Sequence, residues 1–174
     1  MKAFRIAIII LFIFYAITAL AAEPVTFTGK VVGVKDGDTI VVLRYHVQNN
    51  PDALTVPSAE QVTIRLAGID CPEKAQAFGQ RAKQFTSFLV FDREVTVKIY
   101  SKTLTYGRSV GDVILPNGES LSQELLKAGL AWWYRHYSKD EHLGELEAIA
   151  RREKRGLWAD PNPVPPWEFR KGKR

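Results

Sequence analysis

Runs of β-branched residues fill the first half of the chain and restrict it to a fold built on a small sheet. The first three are VTFTGKVVGV at 25–34, TIVVL at 39–43 and QVTIRLAGI at 61–69. Val, Ile and Thr favour strands because their branched side chains pack well on a pleated surface. Their partial alternation with polar residues supports the same interpretation. EVTVKIY at 94–100 and SVGDVIL at 109–115 bring the prediction to five strands.

A helix is predicted between the third and fourth strands, over roughly residues 75–91. Four apolar side chains recur there with helical spacing: Phe78, Ala82, Phe85 and Leu89. They form a single stripe, so one face of this helix should pack against the sheet.

Two more helices are predicted after the fifth strand, each beginning at a capping box. Ser120 with Gln123 and Ser138 with Glu141 have the required spacing, in which side chain and backbone satisfy each other's hydrogen bonds. Gly129 is placed to end the first of these two helices. A turn at Asn117-Gly118 precedes them.

The resulting order, β-β-β-α-β-β-α-α, is typical of a small Greek-key barrel. Five short strands with a helix between the third and fourth suit the OB architecture. We therefore predict an α+β, mainly β, OB-fold barrel with three helices. That fold commonly binds oligonucleotides or oligosaccharides, but a fold alone does not establish a function.

A tight turn is predicted at Asp36-Gly37, between the first two strands. Asp-Gly between two apolar runs is a strong hairpin signal, because glycine accepts φ > 0 without steric cost. A second acid, Asp38, follows at once, although the turn needs none. The corner would then deliver Asp38 to the end of a strand.

The first 21 residues are interpreted as a cleavable export signal. Lys2 and Arg5 precede an almost wholly apolar run at 6–20, and Ala19-Leu20-Ala21 has the A-x-A cleavage pattern. The run is shorter than the roughly 20 residues that a bilayer span needs. We expect an exported protein, periplasmic or secreted, with no stable membrane association after cleavage.

Cleavage after Ala21 would leave 153 of the 174 residues, enough for one domain with a real core. It would remove two of the 24 basic residues and none of the 19 acidic ones, so the mature net charge would be +3. A mildly basic chain fits a polyanionic partner without requiring one. Cys71 is the only cysteine, so no intramolecular disulfide can form. A monomer is expected.

Two segments are predicted to lie outside the regular structure of a domain at 22–158. Residues 44–60, with Asn49-Asn50-Pro51-Asp52 near the middle, are too long for a tight hairpin and should form an exposed loop. Residues 159–174 are rich in proline and basic residues and are expected to be an extended tail.

The densest polar cluster is IRLAGIDCPE at 64–73. Arg65 lies in an apolar strand, while Asp70 and Glu73 follow where that strand ends. Strict alternation would separate Arg65 from Asp70, so the chain must bend between them, and Gly68 permits the bend. Burying these charges together with Asp38 would cost several kcal/mol unless they pair or bind a ligand.

Two carboxylates, Asp38 and Asp70, would suit a hard cation such as Ca²⁺ or Mg²⁺, and Ca²⁺ tolerates the looser geometry. The three histidines do not have the spacing of a zinc site. Arg65 and Arg108 beside such a cation would suit phosphodiester chemistry, because guanidinium groups match phosphate oxygens. Glu73 is left to position or deprotonate a water molecule.

Four motifs in order give the chain a resemblance to the thermonuclease family, the staphylococcal nuclease-like nucleases. They are DGDT at 36–39, IRLAGIDCPE at 64–73, YGR at 106–108 and GLAWWYRHY at 129–137. The resemblance runs from about Val25 to Trp158. It implies an OB barrel with three helices and a Ca²⁺-dependent phosphodiesterase that acts on DNA and RNA, leaving 3′-phosphate ends.

Position by position, the resemblance makes Asp38 and Asp70 calcium ligands. Cys71 takes the place at which the family's ligand is a main-chain carbonyl. Asp36 would support the ligands without binding the ion itself.

Among the remaining matched positions, Arg65 and Arg108 would bind phosphate, and Glu73 would be the general base. Tyr106, Tyr134 and Tyr137 match the region where the family contacts nucleotide.

For four of the aromatic side chains near the end of the domain, core packing and stacking on substrate both stay open: Trp132, Trp133, Tyr134 and Tyr137. The chain also departs from the family. Its 44–60 loop is longer than the hairpin of the best-known member, and Leu104-Thr105 stands where many members have charged residues.

Two alternatives use the same barrel without this chemistry. A non-catalytic nucleic-acid-binding OB module would have a broken set of charged residues, and here the set is whole. An extracellular sugar-binding or adhesion domain gives no reason for two arginines beside the carboxylates.

Overall fold

A computed structural model describes residues 24–46, 58–100 and 107–172. The predicted export signal, the middle of the 44–60 loop and Tyr106 lie outside these residues. Within them, no helix is long and apolar enough to cross a membrane.

Five long strands form a closed barrel, which confirms the predicted fold class. The chain contains β1 (Val25–Asp36), β2 (Thr39–His46), β3 (Ser58–Leu66), β4 (Ile69–Asp70), β5 (Glu94–Ile99), β6 (Ser109–Ile114) and β7 (Trp132–Trp133). The order around the barrel is β1-β2-β3-β6-β5, and β5 pairs with β1 to close it. Only β3 and β6 run parallel among these barrel pairs. β4 and β7, which were not predicted as separate strands, form a two-stranded ribbon outside the barrel.

The barrel interior is filled by aliphatic side chains from alternating strand positions. Those with an exposed fraction of 2% or less include Val31, Ile40, Val42, Ile64, Leu66, Val97 and Val113. The β-branched residues that predicted the strands therefore also supply the core. Polar side chains of the predicted site lie where β2, β3 and β4 begin or end.

The first helix, α1 (Gly79–Val90), begins four residues later than predicted. Phe78 precedes it in the left-handed region, with φ of 66°. Gly79 leaves no space for a side chain, since an added Cβ would lie 1.9 Å from the carbonyl oxygen of Glu73. The residues before Gly79 are thus held against the loop that carries Glu73.

Of the two later helices, the first has the predicted N-cap residue and the second does not. α2 (Leu121–Lys127) has Ser120 at its N-cap, but the expected side-chain hydrogen bond is absent. α3 (Glu141–Arg152) is capped by Asp140, whose carboxylate accepts from His142 N at 3.0 Å. The prediction of Ser138 as cap is therefore wrong by two residues. Gly129 follows α2 with φ of 66°, as a helix-ending glycine should.

The C-terminal tail is folded, so the expectation of an extended segment is wrong. A 3₁₀ turn (Gly156–Ala159) leads to a fourth helix, α4 (Pro166–Lys171). Proline at the first helical position has a backbone already suited to the helix. Trp167 then packs against two aromatic rings of the domain, at 5.4 Å from Tyr134 and 5.6 Å from Trp132.

Candidate active site

Asp38 lies in the turn itself and not on the strand that follows it. Asp36 pairs with Thr39 in the β1–β2 register, so the two connecting residues are Gly37 and Asp38. Gly37 is not in the left-handed region, in contrast to the hairpin prediction. It is required for space, since an added Cβ would lie 2.8 Å from the Cβ of Ala82.

The carboxylate of Asp38 is buried, and both of its oxygens contact protein groups. The exposed fraction of the whole residue is 5%. Oδ1 accepts from the Thr39 hydroxyl at 3.0 Å, and Oδ2 accepts from Cys71 N at 2.8 Å. Oδ2 also pairs with the guanidinium of Arg65. A residue that served only to bend the chain would not need this environment.

Arg65 joins the two buried carboxylates. It lies near the end of β3, where it pairs with Thr39 of β2. The chain then turns at Gly68, with φ of 75°, as the sequence predicted. This turn brings Asp70 back to the same point, where its Oδ1 lies 2.6 Å from Arg65 Nη2. The exposed fraction of Asp70 is 1%.

A further arginine, which sequence reasoning missed, completes the cluster. Arg170 of α4 places Nη2 at 2.7 Å from Asp70 Oδ2 and Nη1 at 2.6 Å from Glu73 Oε1. Its hydrogen bond to Asp70 raises the pKa of Arg170 above the ordinary value. Glu73 is half-buried. It joins the cluster through its contact with Arg170, which lies 97 residues away in the sequence.

The backbone of Glu73 is fixed by Gln76 and Gly79. Glu73 N donates to Gln76 Oε1 at 3.0 Å, and Gln76 N donates to the Glu73 carbonyl at 2.8 Å. The close approach of Gly79 restrains the same carbonyl. Glu73 is therefore presented by a tight turn before α1.

Arg108 immediately precedes β6, which runs parallel to β3 beside Arg65. Ser109 pairs with Ile64, and Val110 pairs with Arg65. The side chain of Arg108 is half-buried, and it makes no ion pair with any residue that the structure describes. It thus differs from Arg65, whose guanidinium pairs with two carboxylates.

Asp36 and Cys71 flank the cluster. Burial raises the pKa of Asp36, and its Oδ1 accepts from Gly37 N at 3.2 Å. Burial also raises the pKa of the Cys71 thiol, so this buried cysteine is held in its neutral form. The Cys71 group that contacts the cluster is its backbone N–H, not its sulfur.

The donor set suits a hard cation that is completed by water. In the described ranges, no group of three or more His, Cys, Asp or Glu side chains is arranged to hold a metal ion. Two carboxylates held by one guanidinium do face each other, and main-chain carbonyls and water are normal additional ligands of Ca²⁺. The residues present therefore fit a calcium site with two carboxylate ligands in donor chemistry.

The aromatic residues at 132–137 divide between core and surface. Trp132 is buried and packs with Trp158 at a centroid distance of 4.4 Å, which resolves it in favour of core packing. Tyr134 stacks on Trp167, with ring planes 3° apart. Tyr137 has an exposed fraction of 73% and lies 4.8 Å from the Tyr134 ring.

Trp132, Tyr134 and Tyr137 line a cavity of about 550 Å³ next to α4, the helix that carries Arg170. Trp133, Trp167 and Lys171 contribute to its walls. Arg135 lies over the Trp133 ring, 4.9 Å from its centroid. Aromatic faces with nearby cations are suited to stacking of nucleobases.

Residues 63–160, more than half of the chain, match the family model described as staphylococcal nuclease homologue. That range holds Arg65, Asp70, Glu73 and Arg108.

Several curated proteins are similar to this chain over two thirds of its length or more. The chain is 41% identical over 142 residues to a protein of Escherichia coli O157:H7 named as an uncharacterized endonuclease, covering 82% of this chain and 84% of that one. It is 37% identical over 158 residues to a micrococcal nuclease of Shigella flexneri, covering 85% and 83%. A staphylococcal-like nuclease of Arabidopsis thaliana is 41% identical over 116 residues, which are 67% of this chain and 35% of the plant protein.

Proposed function

The chain belongs to the staphylococcal nuclease homologue family of hydrolytic nucleases. We propose that it is an exported, calcium-dependent member that cleaves DNA, RNA or both and leaves 3′-phosphate ends. One observation carries the proposal. Two buried carboxylates, Asp38 and Asp70, are joined by Arg65, with the carboxylate of Glu73 at the same cluster through Arg170.

Asp38 and Asp70 would hold the cation, with the main-chain carbonyl of Cys71 and water as further ligands. A bound Ca²⁺ would supply charge stabilisation to a phosphodiester in its transition state. Because Asp38 also accepts from Cys71 N, the turn before β2 and the segment after β4 are fixed relative to each other. This contact would keep the two ligands in register.

Glu73 would accept the proton of the attacking water. Its carboxylate is half-buried, so it can reach both solvent and the cluster. The fixed backbone of its turn would keep the carboxylate in place during the attack, since both Glu73 N and the Glu73 carbonyl are hydrogen-bonded to Gln76. General-base catalysis of this kind contributes roughly 10²–10⁴-fold to a rate.

Arg65 and Arg108 would bind the oxygens of the scissile phosphate. Arg65 lies on β3 and Arg108 immediately before β6, the parallel neighbour of β3, so both side chains are positioned by the rigid barrel. Guanidinium groups placed where negative charge develops stabilise the transition state more than the ground state. The 5′-oxygen would leave, and export would follow from the predicted signal at 1–21.

The test is hydrolysis of plasmid DNA and of RNA by the purified mature protein, with Ca²⁺ or with chelator. Wild type should cleave at least one of the two substrates with Ca²⁺ and neither with chelator. Glu73→Gln keeps the shape of the side chain and removes the base, so its rate should fall by at least ~10²-fold. Intact substrates with Ca²⁺, or equal rates for the variant, would favour a non-catalytic nucleic-acid-binding module.

A further inference from the structure

The last helix of the chain inserts a positive charge into the carboxylate cluster. We call residues 163–171, which end in α4, the C-terminal strap. We propose that this strap is autoinhibitory: Arg170 occupies the cation side of the active site, and a divalent cation must displace it. The inference rests on the proposed function, since it takes Asp70 to be a cation ligand.

Arg170 uses two nitrogens to hold two carboxylates. Nη2 lies 2.7 Å from Asp70 Oδ2, while Nη1 lies 2.6 Å from Glu73 Oε1 and 3.4 Å from Asp70 Oδ1. Charge-assisted hydrogen bonds of this length are among the strong ones in proteins. The guanidinium therefore acts as a built-in counter-cation for Asp70 and Glu73 together.

With Arg170 in place, both oxygens of Asp70 face guanidinium groups. Arg65 lies 2.6 Å from Oδ1, and Arg170 lies 2.7 Å from Oδ2. A divalent cation at these oxygens would lie against a group of the same charge, so one of the two guanidinium groups must give way. Arg65 is fixed on β3 in the barrel, whereas Arg170 lies on a six-residue helix outside it. Arg170 is the group that can leave.

The same guanidinium covers the carboxylate of Glu73. Arg170 Nη1 donates to Glu73 Oε1 at 2.6 Å, so this oxygen is occupied while the strap is docked. Release of Arg170 would thus open the cation site and uncover Glu73 in one step.

The strap is held by non-covalent contacts, which suits a reversible element. Val164 O accepts from Gln76 Nε2 at 2.6 Å, and Trp167 stacks on Tyr134 at 5.4 Å. Arg170 itself remains 41% exposed, so solvent and ions can reach it. No disulfide can fix the strap to the domain, because the chain has one cysteine.

Gln76 links the strap to the turn that carries Glu73. Its Oε1 accepts from Glu73 N, and its Nε2 donates to Val164 O. A shift of the Glu73 turn on cation binding would therefore loosen the strap at a second point.

Docking of the strap would weaken the apparent binding of Ca²⁺. When only a fraction of molecules is competent to bind, the apparent Kd is raised by the inverse of that fraction. If the strap is docked in about nine molecules of ten, Arg170→Gln should lower the Kd for Ca²⁺ roughly tenfold.

The experiment compares wild type, Arg170→Gln and Lys171→Gln in the mature chain at physiological salt. Lys171 lies on the same helix and is exposed, so it is the matched control for loss of one positive charge. Calorimetry with Ca²⁺ alone gives the Kd, and hydrogen exchange of residues 163–171 gives the docking of the strap.

Arg170→Gln should bind Ca²⁺ about tenfold more tightly than wild type, while Lys171→Gln should differ by less than about twofold because an exposed charge is screened. Exchange in the strap should be fast in Arg170→Gln without Ca²⁺, and Ca²⁺ should make it fast in wild type.

Three results would overturn the inference, and they differ in what they say about the function. Equal Kd values and a protected strap in Arg170→Gln would remove the autoinhibition and leave the proposed function standing. Equal Kd values with lower Ca²⁺-saturated turnover would make Arg170 a phosphate-binding residue. No calorimetric binding in wild type or in Arg170→Gln would remove the calcium site on which both proposals depend.

Discussion

Replacing Arg65 by glutamine removes the guanidinium that holds two buried carboxylates together. The side chain of Arg65 has an exposed fraction of 18%, and its partners Asp38 and Asp70 have 8% and 1%. Gln keeps part of the length and can still donate one hydrogen bond, but it carries no charge. Both carboxylates would lose their shared positive partner.

Breaking a buried ion pair by removing one partner costs about 3–5 kcal/mol. We expect the lower end, about 3 kcal/mol, because Asp70 keeps Arg170 and Asp38 keeps the backbone N–H of Cys71. For a domain of this size, that loss would lower Tm by about 6–12 °C.

The assay is urea unfolding in chelator, followed by circular dichroism, for Arg65→Gln, Asp38→Asn and the double variant. The double variant removes the orphaned charge along with its partner, so it should be more stable than the sum of the single losses by at least about 1 kcal/mol. Arg93→Gln is the control. It removes an exposed arginine immediately before β5 and should change stability by less than about 0.5 kcal/mol. Additive losses, or an Arg65→Gln variant as stable as wild type, would refute the coupling.

Three further predictions each concern one residue or one contact. Gly79→Ala would push a methyl group onto the Glu73 carbonyl, so it should cost about 1–3 kcal/mol in thermal unfolding and lower turnover as well. Arg108→Ala should lower turnover by about 10²–10³-fold in a nuclease assay with little change in Tm, since it would act mainly on the transition state. Tyr100 donates to Asp112 at 2.6 Å, which raises the pKa of Tyr100 to about 12. Its stabilising effect is full below about pH 10 and is lost as pH rises toward 12, so Asp112→Asn should return the phenolate absorbance titration toward about pH 10.

The barrel could be predicted because strand propensity, core composition and turn residues agree along the first half of the chain. The meeting of Arg65 with Asp70 could also be predicted, since Gly68 permits the bend that strict alternation forbids. The same reasoning placed Asp38 beside them, although the structure puts it inside the turn.

Local rules did not distinguish between neighbouring caps. Ser138 and Asp140 are both good N-cap residues two positions apart, and the helix uses Asp140. Ser138 N donates to the Tyr134 carbonyl at 3.1 Å, so Ser138 belongs to the preceding turn and the helix starts after it.

Arg170 could not be predicted from the sequence. It lies 100 residues from Asp70, in a segment whose proline and basic content is typical of an extended tail. Its position depends on tertiary contacts that no local pattern specifies. The adjacent Pro165-Pro166-Trp167 was the one available hint, since it combines a helix start with an aromatic side chain.

The most direct test of the account is calcium binding by Asp38→Asn, measured by calorimetry on the mature protein with its circular dichroism as the check of folding. We predict a folded variant whose Kd for Ca²⁺ rises by at least about tenfold, which is a loss of about 1.4 kcal/mol, together with loss of nuclease activity. A folded Asp38→Asn variant that binds Ca²⁺ as tightly as wild type, with only its stability reduced, would show that Asp38 serves the turn alone and would contradict the proposed site.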